Sequence, residues 1–232
     1  MIRMSRFSRL EVYRIIAETG LMPLFNHADA AVTEAAVRAS HAGGARIFEF
    51  TNRGAFSHEV FESLRRLAAR DMPDLILGVG SVIDAPTASL YLQLGADFIV
   101  SPSLRPDIAD LCNRRKVPYS PGCGSASEIS QAEELGVEIV KVFPGDAVGG
   151  PEFVKAVLAP CPWTLIMPTG GVDATQESIR AWFKAGAACV GMGSRLITRD
   201  LVAARDFDGI SSKVAQVLAW IKEARQGNEK SA

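Results

Sequence analysis

The sequence predicts an α/β fold, a single (β/α)8 (TIM) barrel with an N-terminal helical extension. Three observations carry this. A helix-like stretch that ends in Gly and turns almost at once into a short apolar strand recurs along the chain. Strand candidates alternate with helical stretches about eight times, and such alternation implies parallel pairing. The length, 232 residues, is long for one ordinary domain but normal for one α/β barrel. A doubly wound open sheet uses the same alternation and is the alternative architecture.

Each element follows in chain order. Residues before Leu21 read as an amphipathic helix with Leu10, Val12, Ile15 and Ile16 on its apolar side. Leu21-Met22-Pro23-Leu24-Phe25 is the first strand. Gly44-Ala45 then introduces Ile47-Phe48-Glu49-Phe50, and Leu75-Ile76-Leu77-Gly78-Val79 is the third. Gly95-Ala96 precedes Phe98-Ile99-Val100, and Pro118-Tyr119-Ser120 is the fifth. Gly136 precedes the apolar run Val137-Glu138-Ile139-Val140-Lys141-Val142-Phe143, which stops at Pro144. Leu165-Ile166-Met167 follows, and Gly186-Ala187 leads into Cys189-Val190-Gly191. Gly recurs at these junctions because it takes the left-handed conformation that ends a helix. No linker or break in composition interrupts the series, so residues 1–232 are expected to form one domain. The polar tail after Gly227 is expected to fray.

Composition narrows the function. A hydrophobic fraction of 48% against 22% charged residues supplies a sizeable core and argues against disorder. The formal net charge is -1 and no basic stripe stands out, which excludes nucleic acid as the expected partner. No apolar run spans a bilayer, and no signal core follows the basic start Met1-Ile2-Arg3-Met4-Ser5-Arg6. Cys112, Cys123, Cys161 and Cys189 are scattered, with no zinc spacing or disulfide framework, so a reducing cytoplasm is expected. No His-Glu-x-x-His or similar ligand spacing occurs, and no catalytic metal is expected. His27 follows the first strand and is within range of its end; His41 and His58 fall in helical stretches.

Lys141 is the most informative residue. Strand residues alternate faces, so Ile139, Lys141 and Phe143 share one side and Val140 and Val142 the other. If both faces are covered, desolvation lowers the lysine pKa, and a neutral amine forms a Schiff base with a carbonyl. A lysine on the solvent face of an edge strand is the plain alternative. Glu49 is a second charge of this kind. Alternation puts Ile47, Glu49 and Thr51 on one face and Phe48 and Phe50 on the other, so Glu49 and Lys141 both point into a barrel. A purely structural ion pair is the alternative, though burying two charges is costly even when they pair.

Other candidates cluster at strand ends. Arg53 lies in a loop just past Thr51, where a planar guanidinium suits a carboxylate; an ordinary solvated arginine is the alternative. Thr169-Gly170-Gly171 and Gly191-Met192-Gly193-Ser194 follow the last two strands, where barrels often bind phosphate through backbone N–H groups. Glycines also serve plain turns. Ser81 and the Ser101-Pro102 pair end the third and fourth strands, where their hydroxyls are placed for a keto acid. Turn chemistry is the alternative, and it is the favoured reading for Ser101, since Ser-Pro favours turns.

These segments together resemble the 2-keto-3-deoxy-6-phosphogluconate (KDPG) aldolase / 4-hydroxy-2-oxoglutarate (KHG) aldolase family. The carrying motifs are Phe48-Glu49-Phe50-Thr51-Asn52-Arg53, Leu77-Gly78-Val79-Gly80-Ser81-Val82, Ile99-Val100-Ser101-Pro102, Pro121-Gly122-Cys123, Val140-Lys141-Val142-Phe143-Pro144 and Met167-Pro168-Thr169-Gly170-Gly171-Val172. They occur in the family's order over most of residues 20 to 200. The resemblance implies a class I aldolase of the carbon–carbon lyase type, with Lys141 as the Schiff-base lysine and Glu49 as acid and base. It places Arg53, Ser81, Ser101, Pro102, Phe143 and Thr169 at the keto-acid end, and Gly170, Gly171, Gly193 and Ser194 at a phosphate. It implies no cofactor, a small 2-keto acid as the partner molecule, and a homotrimer.

The sequence departs from the family pattern at four places, one of them an extension before Leu21 that is longer than usual. Asn52 stands where many members have an aliphatic residue, and Ser81 where many have threonine. Some members carry an arginine at the end of the first strand, where this chain reads Phe25-Asn26-His27. These departures touch the identity of the sugar acid rather than the Schiff-base chemistry. An aldolase for a phosphogalactonate-type or unphosphorylated acid is one alternative. A phosphate-binding isomerase or decarboxylase, in which Lys141 acts electrostatically, is another, and a non-catalytic sugar-phosphate binder is a third.

Overall fold

A computed structural model describes residues 5–229 of the chain. Nine short strands run β1 (Leu21–Phe25), β2 (Ile47–Thr51), β3 (Ile76–Gly80), β4 (Ile99–Val100), β5 (Tyr119–Ser120), β6 (Gly122–Cys123), β7 (Ile139–Val142), β8 (Leu165–Pro168) and β9 (Val190–Met192). Helices separate them, from α1 (Arg9–Thr19) and α2 (Ala30–Ala42) through α8 (Gln176–Lys184), α9 (Arg199–Ala203) and α10 (Phe207–Glu229). Only β5 and β6 have no helix between them. Pro121 separates these two, since it lacks the N–H a ladder needs. The expected fifth strand is therefore two pieces, one pairing with β4 and the other with β7.

Every pair is parallel. Six strands are ordered β5-β4-β3-β2-β1-β9 and three β6-β7-β8. The order never reverses between β1 and β5, and the first strand pairs with the last. A doubly wound sheet would reverse at a switch point. Backbone hydrogen bonds cross both gaps between the two sheets. Gly122 N–H donates to the Ser101 carbonyl at 3.0 Å, and Ala188 N–H to the Ile166 carbonyl at 2.9 Å. Thr169 forms a parallel bridge with Gly191. The result is a curled parallel sheet with helices on its convex side.

The glycines before strands do what their position predicts: Gly44, Gly95, Gly136 and Gly186 have φ of 100°, 90°, 77° and 101°. Alternation then sorts each strand between two cores. Phe48, Phe50, Val140 and Val142 join the large core under the helices. Ile47, Ile76, Phe98, Ile139 and Met167 fill the concave side near the strands' N-terminal ends, and Val12, Tyr13 and Ile16 of α1 pack onto them. This helix plugs that end of the curl. A Ser8–Glu11 capping box starts it and Gly20, at φ 75°, ends it.

One expectation at the start of the chain needs correction. Leu10 is 80% exposed. It lies roughly 200° around the helix from Val12, so the buried stripe is Val12, Tyr13 and Ile16. At the other end α10 runs to Glu229, and residues 230–232 of the tail expected to fray lie outside the described residues. Arg225 fastens that helix, donating to the carbonyls of Ala17, Glu18 and Ala188 at 2.6 to 2.7 Å.

Candidate active site

The pleat builds the site on top of the apolar plug. In β2, Ile47 belongs to the plug, and Glu49 is the next residue on the same face. In β7, Ile139 belongs to the plug and Lys141 comes next. Both charged side chains therefore sit one pleat above a dry layer, and neighbouring strands close their sides. Only 2% of Glu49 and 6% of Lys141 is exposed. Gly80 makes room for the carboxylate: a Cβ there would fall 1.7 Å from Glu49 Oε1.

Burial dominates the electrostatics of both groups. Desolvation pushes Lys141 below the ordinary lysine range; the Glu49 carboxylate opposes this and Arg53 reinforces it. Desolvation pushes Glu49 up, against the pull of Lys141 and then Arg53. The two do not form an ion pair within 4.0 Å. Glu49 Oε2 has no hydrogen-bond partner, and Thr169 Oγ1 is also buried without one. Lys141 Nζ lies 4.6 Å from the centroid of the Phe143 ring, whose face favours a cation. A depressed amine beside a raised carboxylate can attack a carbonyl and pass protons at neutral pH.

These groups open onto a cavity of about 800 Å³ at the C-terminal ends of the strands. Arg53, Ser81, Pro102, Phe143 and Thr169 line it with Glu49 and Lys141. Gly170, Gly171, Gly193 and Ser194 line it as well. Arg53 is held at the rim by its own backbone, because Ser57 Oγ donates to the Arg53 carbonyl at 2.7 Å. Ser81 adopts φ 60°, uncommon for a residue other than glycine.

Ser101 is the exception among the expected residues. Its side chain is fully buried away from the cavity, 2.6 Å from both the Tyr119 hydroxyl and the Ser103 carbonyl. Alternation explains this. Ile99 faces the outer core and Val100 the inner one, so Ser101 faces outward and Pro102 inward. Asn52 also turns outward, accepting from the Tyr91 hydroxyl at 2.8 Å.

Several lining residues escaped the sequence reading. Asn26 and Thr51 meet at the rim, where Thr51 Oγ1 donates to Asn26 Oδ1 at 2.8 Å. Leu24, like Asn26, was there to be found by period two along β1. His27 does reach the cavity. Arg195 and Arg199 also line it, near the glycine turns; Arg195 lies in a loop and Arg199 starts α9, and the period-two reading of strands reaches neither. Arg195 pairs with Asp173 at 3.2 Å. All four cysteines are unpaired. Among the described residues no three His, Cys, Asp or Glu side chains cluster as a metal site, and no helix is long and apolar enough to cross a membrane.

A family model described as "Aldolase: KDPG and KHG aldolase" matches residues 12–213. A 2-dehydro-3-deoxy-phosphogluconate aldolase of Haemophilus influenzae is 34% identical over 72% of this chain and 78% of its own length. A KHG/KDPG aldolase of Escherichia coli K12 is 27% identical, over 78% of this chain and 82% of its own. Among solved structures, the KDPG aldolase of Legionella pneumophila superposes with a TM-score of 0.80 at 25% identity, covering 88% of this chain and 96% of that one. That structure holds pyruvate captured as a covalent carbinolamine. The family match runs through every strand from β1 to β9, and the chain therefore belongs to the KDPG and KHG aldolase family.

Proposed function

We propose that the protein is a class I aldolase that cleaves 2-keto-3-deoxy-6-phosphogluconate to pyruvate and glyceraldehyde 3-phosphate. It also cleaves 4-hydroxy-2-oxoglutarate to pyruvate and glyoxylate. The observation that carries this reading is the buried, depressed amine of Lys141 facing the raised carboxyl of Glu49. The neutral amine attacks the C2 ketone, and Glu49 moves protons as the carbinolamine loses water. Glu49 then takes the proton of the C4 hydroxyl. The C3–C4 bond breaks, its electrons enter the iminium to give an enamine, and the aldehyde leaves. Protonation at C3 and hydrolysis release pyruvate and restore the amine. The iminium is the electron sink, so the steps call for no cofactor and no metal.

The remaining roles follow from position. Arg53, Ser81, Pro102, Phe143 and Thr169 bind the keto-acid end near Lys141, with Arg53 on the carboxylate. Gly170, Gly171, Gly193 and Ser194 bind the phosphate through N–H and hydroxyl donors. The hydrogen bonds across both sheet gaps support a closed (β/α)8 barrel, one domain over residues 1–232, with α1 as its N-terminal extension. The unpaired cysteines are compatible with a reducing cytoplasm. A homotrimer is proposed from the family resemblance; exposed Phe56 and Ile83 give apolar surface that a subunit contact would cover.

Borohydride reduction in the presence of pyruvate tests the mechanism. The expected result is a covalent pyruvate adduct on Lys141, read by peptide mass spectrometry, and loss of activity in Lys141→Arg, because a guanidinium stays protonated. An adduct on another lysine, or none in an enzyme that turns over, overturns it.

A further inference from the structure

We propose that Asn26 is a specificity-determining residue that binds a hydroxyl in the middle of the substrate's carbon chain, and that Thr51 positions it. The inference rests on the aldolase reading above and goes beyond it, because it assigns a reader to a part of the substrate that Lys141 and the glycine turns leave unattended.

Position is the first argument. Leu24 pairs with Glu49 and Phe25 with Phe50, so Asn26 comes level with Thr51. The pleat turns both toward the concave side, about 7 Å beyond Glu49 along the strand direction. On the other flank β1 pairs with β9, Pro23 against Met192. The next step puts Leu24 beside Gly193, where an added Cβ would lie 2.7 Å from Leu24 Cδ1. The Gly193-Ser194 turn therefore runs alongside Asn26. The carboxamide therefore lies between the Glu49–Thr51 face of β2 on one side and the Gly193-Ser194 turn on the other.

Chemistry is the second argument. The Thr51 hydroxyl donates to Asn26 Oδ1, and Thr51 is itself only 7% exposed, so the bond is sheltered and holds Oδ1 toward Thr51, with Nδ2 on the other side of the amide. Setting Oδ1 also sets Nδ2, which has no acceptor among the described residues and belongs to a side chain that lines the cavity. A neutral N–H donor held in place suits a hydroxyl oxygen; it offers an anion little that the nearby Arg195 and Arg199 do not. In a six-carbon phosphorylated acid, the hydroxyl between the cleaved bond and the phosphate is the one on C5. It becomes the C2 hydroxyl of glyceraldehyde 3-phosphate.

The test runs the reaction backwards, adding pyruvate to glyceraldehyde 3-phosphate or to 3-phosphooxypropanal, which lacks that hydroxyl. The readout is the ratio of kcat/KM for the two aldehydes. In Asn26→Ala and Thr51→Val the ratio is expected to fall on the order of ten-fold, the worth of one hydrogen bond, while Thr51→Ser restores it. An unchanged ratio in Asn26→Ala overturns the inference, and since Asn26 is a half-exposed rim residue this variant decides even if Thr51→Val does not fold. Wild-type imine trapping with pyruvate is run beside it. Absence of an adduct on Lys141 overturns the aldolase reading and this inference together; an adduct with an unchanged ratio overturns this inference alone.

Discussion

The carboxylate of Glu49 occupies the space that a side chain on Gly80 would need. A Cβ on Gly80 would stand 1.7 Å from Glu49 Oε1 and 2.3 Å from Glu49 Cδ. Gly80 has no positive φ, so alanine there strains no backbone, and the flexible carboxylate is what must move. Gly80→Ala is expected to fold and to lose about 10²-fold in kcat, since a misplacement of one ångström costs about that much. Gly78→Ala is the contrast. Its Cβ would fall 2.4 Å from the Phe98 ring in the apolar plug, so stability should fall first. Melting temperature and kcat measured on both variants separate the two effects. A Gly80→Ala enzyme of full activity would show that Glu49 tolerates displacement and is not the proton carrier.

The pH profile tests the coupling of three charges. On the proposed mechanism the free amine of Lys141 is the reactive form, so the rate of imine formation is expected to fall as pH drops through its lowered pKa. The Glu49 carboxylate raises that pKa and Arg53 lowers it. Glu49→Gln should therefore move the acid limb to lower pH, and Arg53→Gln should move it to higher pH. Glu49→Gln should also lower kcat by roughly 10²–10⁴, as for loss of a general acid–base group. Arg53→Gln should act mainly on KM for pyruvate. Limbs that shift in the same direction in both variants would contradict the opposing influences inferred here.

Ser101 provides a test of the corrected site. Its hydroxyl belongs to a buried cluster with the Tyr119 hydroxyl and the Ser103 carbonyl, not to the cavity. Ser101→Ala should leave KM for the keto acid within about two-fold, yet cost about 0.5–1.5 kcal/mol of stability through its lost hydrogen bonds, since the Tyr119 hydroxyl still accepts from the Arg105 N–H at 3.2 Å and reaches the Ser103 carbonyl at 3.4 Å. Denaturant titration and steady-state kinetics read the two quantities. A large rise in KM with stability intact would return Ser101 to the substrate.

How much the sequence revealed depended on whether the pleat alone decided the question. Phe48-Glu49-Phe50 and Val140-Lys141-Val142 could be read because two apolar neighbours claim one face and force the charge to the other. The same rule, applied from Ile99 and Val100, would have turned Ser101 outward. A hydroxyl before a proline looked like chemistry and was read without its neighbours. Leu24 and Asn26 share a face by that rule too, but the strand was taken to end at Phe25. Arg195 lies in a loop and Arg199 at the start of α9, and only the folded chain brings them to the cavity. The contacts between β8 and β9 are long-range pairings that local patterning does not encode. Leu10 misled for a different reason: an apolar residue near a helix start need not lie on the buried stripe.

The distal end of the cavity yields the last prediction. Gly170, Gly171, Gly193 and Ser194 meet two arginines there. Arg195 is engaged with Asp173 at 3.2 Å, whereas Arg199 forms no ion pair within 4.0 Å among the described residues. Arg199 is thus the guanidinium free to meet a phosphate. Arg199→Gln is expected to raise KM for the phosphorylated six-carbon acid by roughly three- to ten-fold, a charged contact weakened by solvent. Ser194→Ala should do the same to a smaller degree. Gly170, at φ 85°, is a poorer probe, because any side chain there would strain the turn itself. The shorter 4-hydroxy-2-oxoglutarate should respond less, since remote binding energy is lost only by a substrate that carries the remote group. Inorganic phosphate should compete with the phosphorylated substrate, less effectively at high salt. Equal losses on both substrates, with no competition from phosphate, would make the glycine turns structural and favour an unphosphorylated acid.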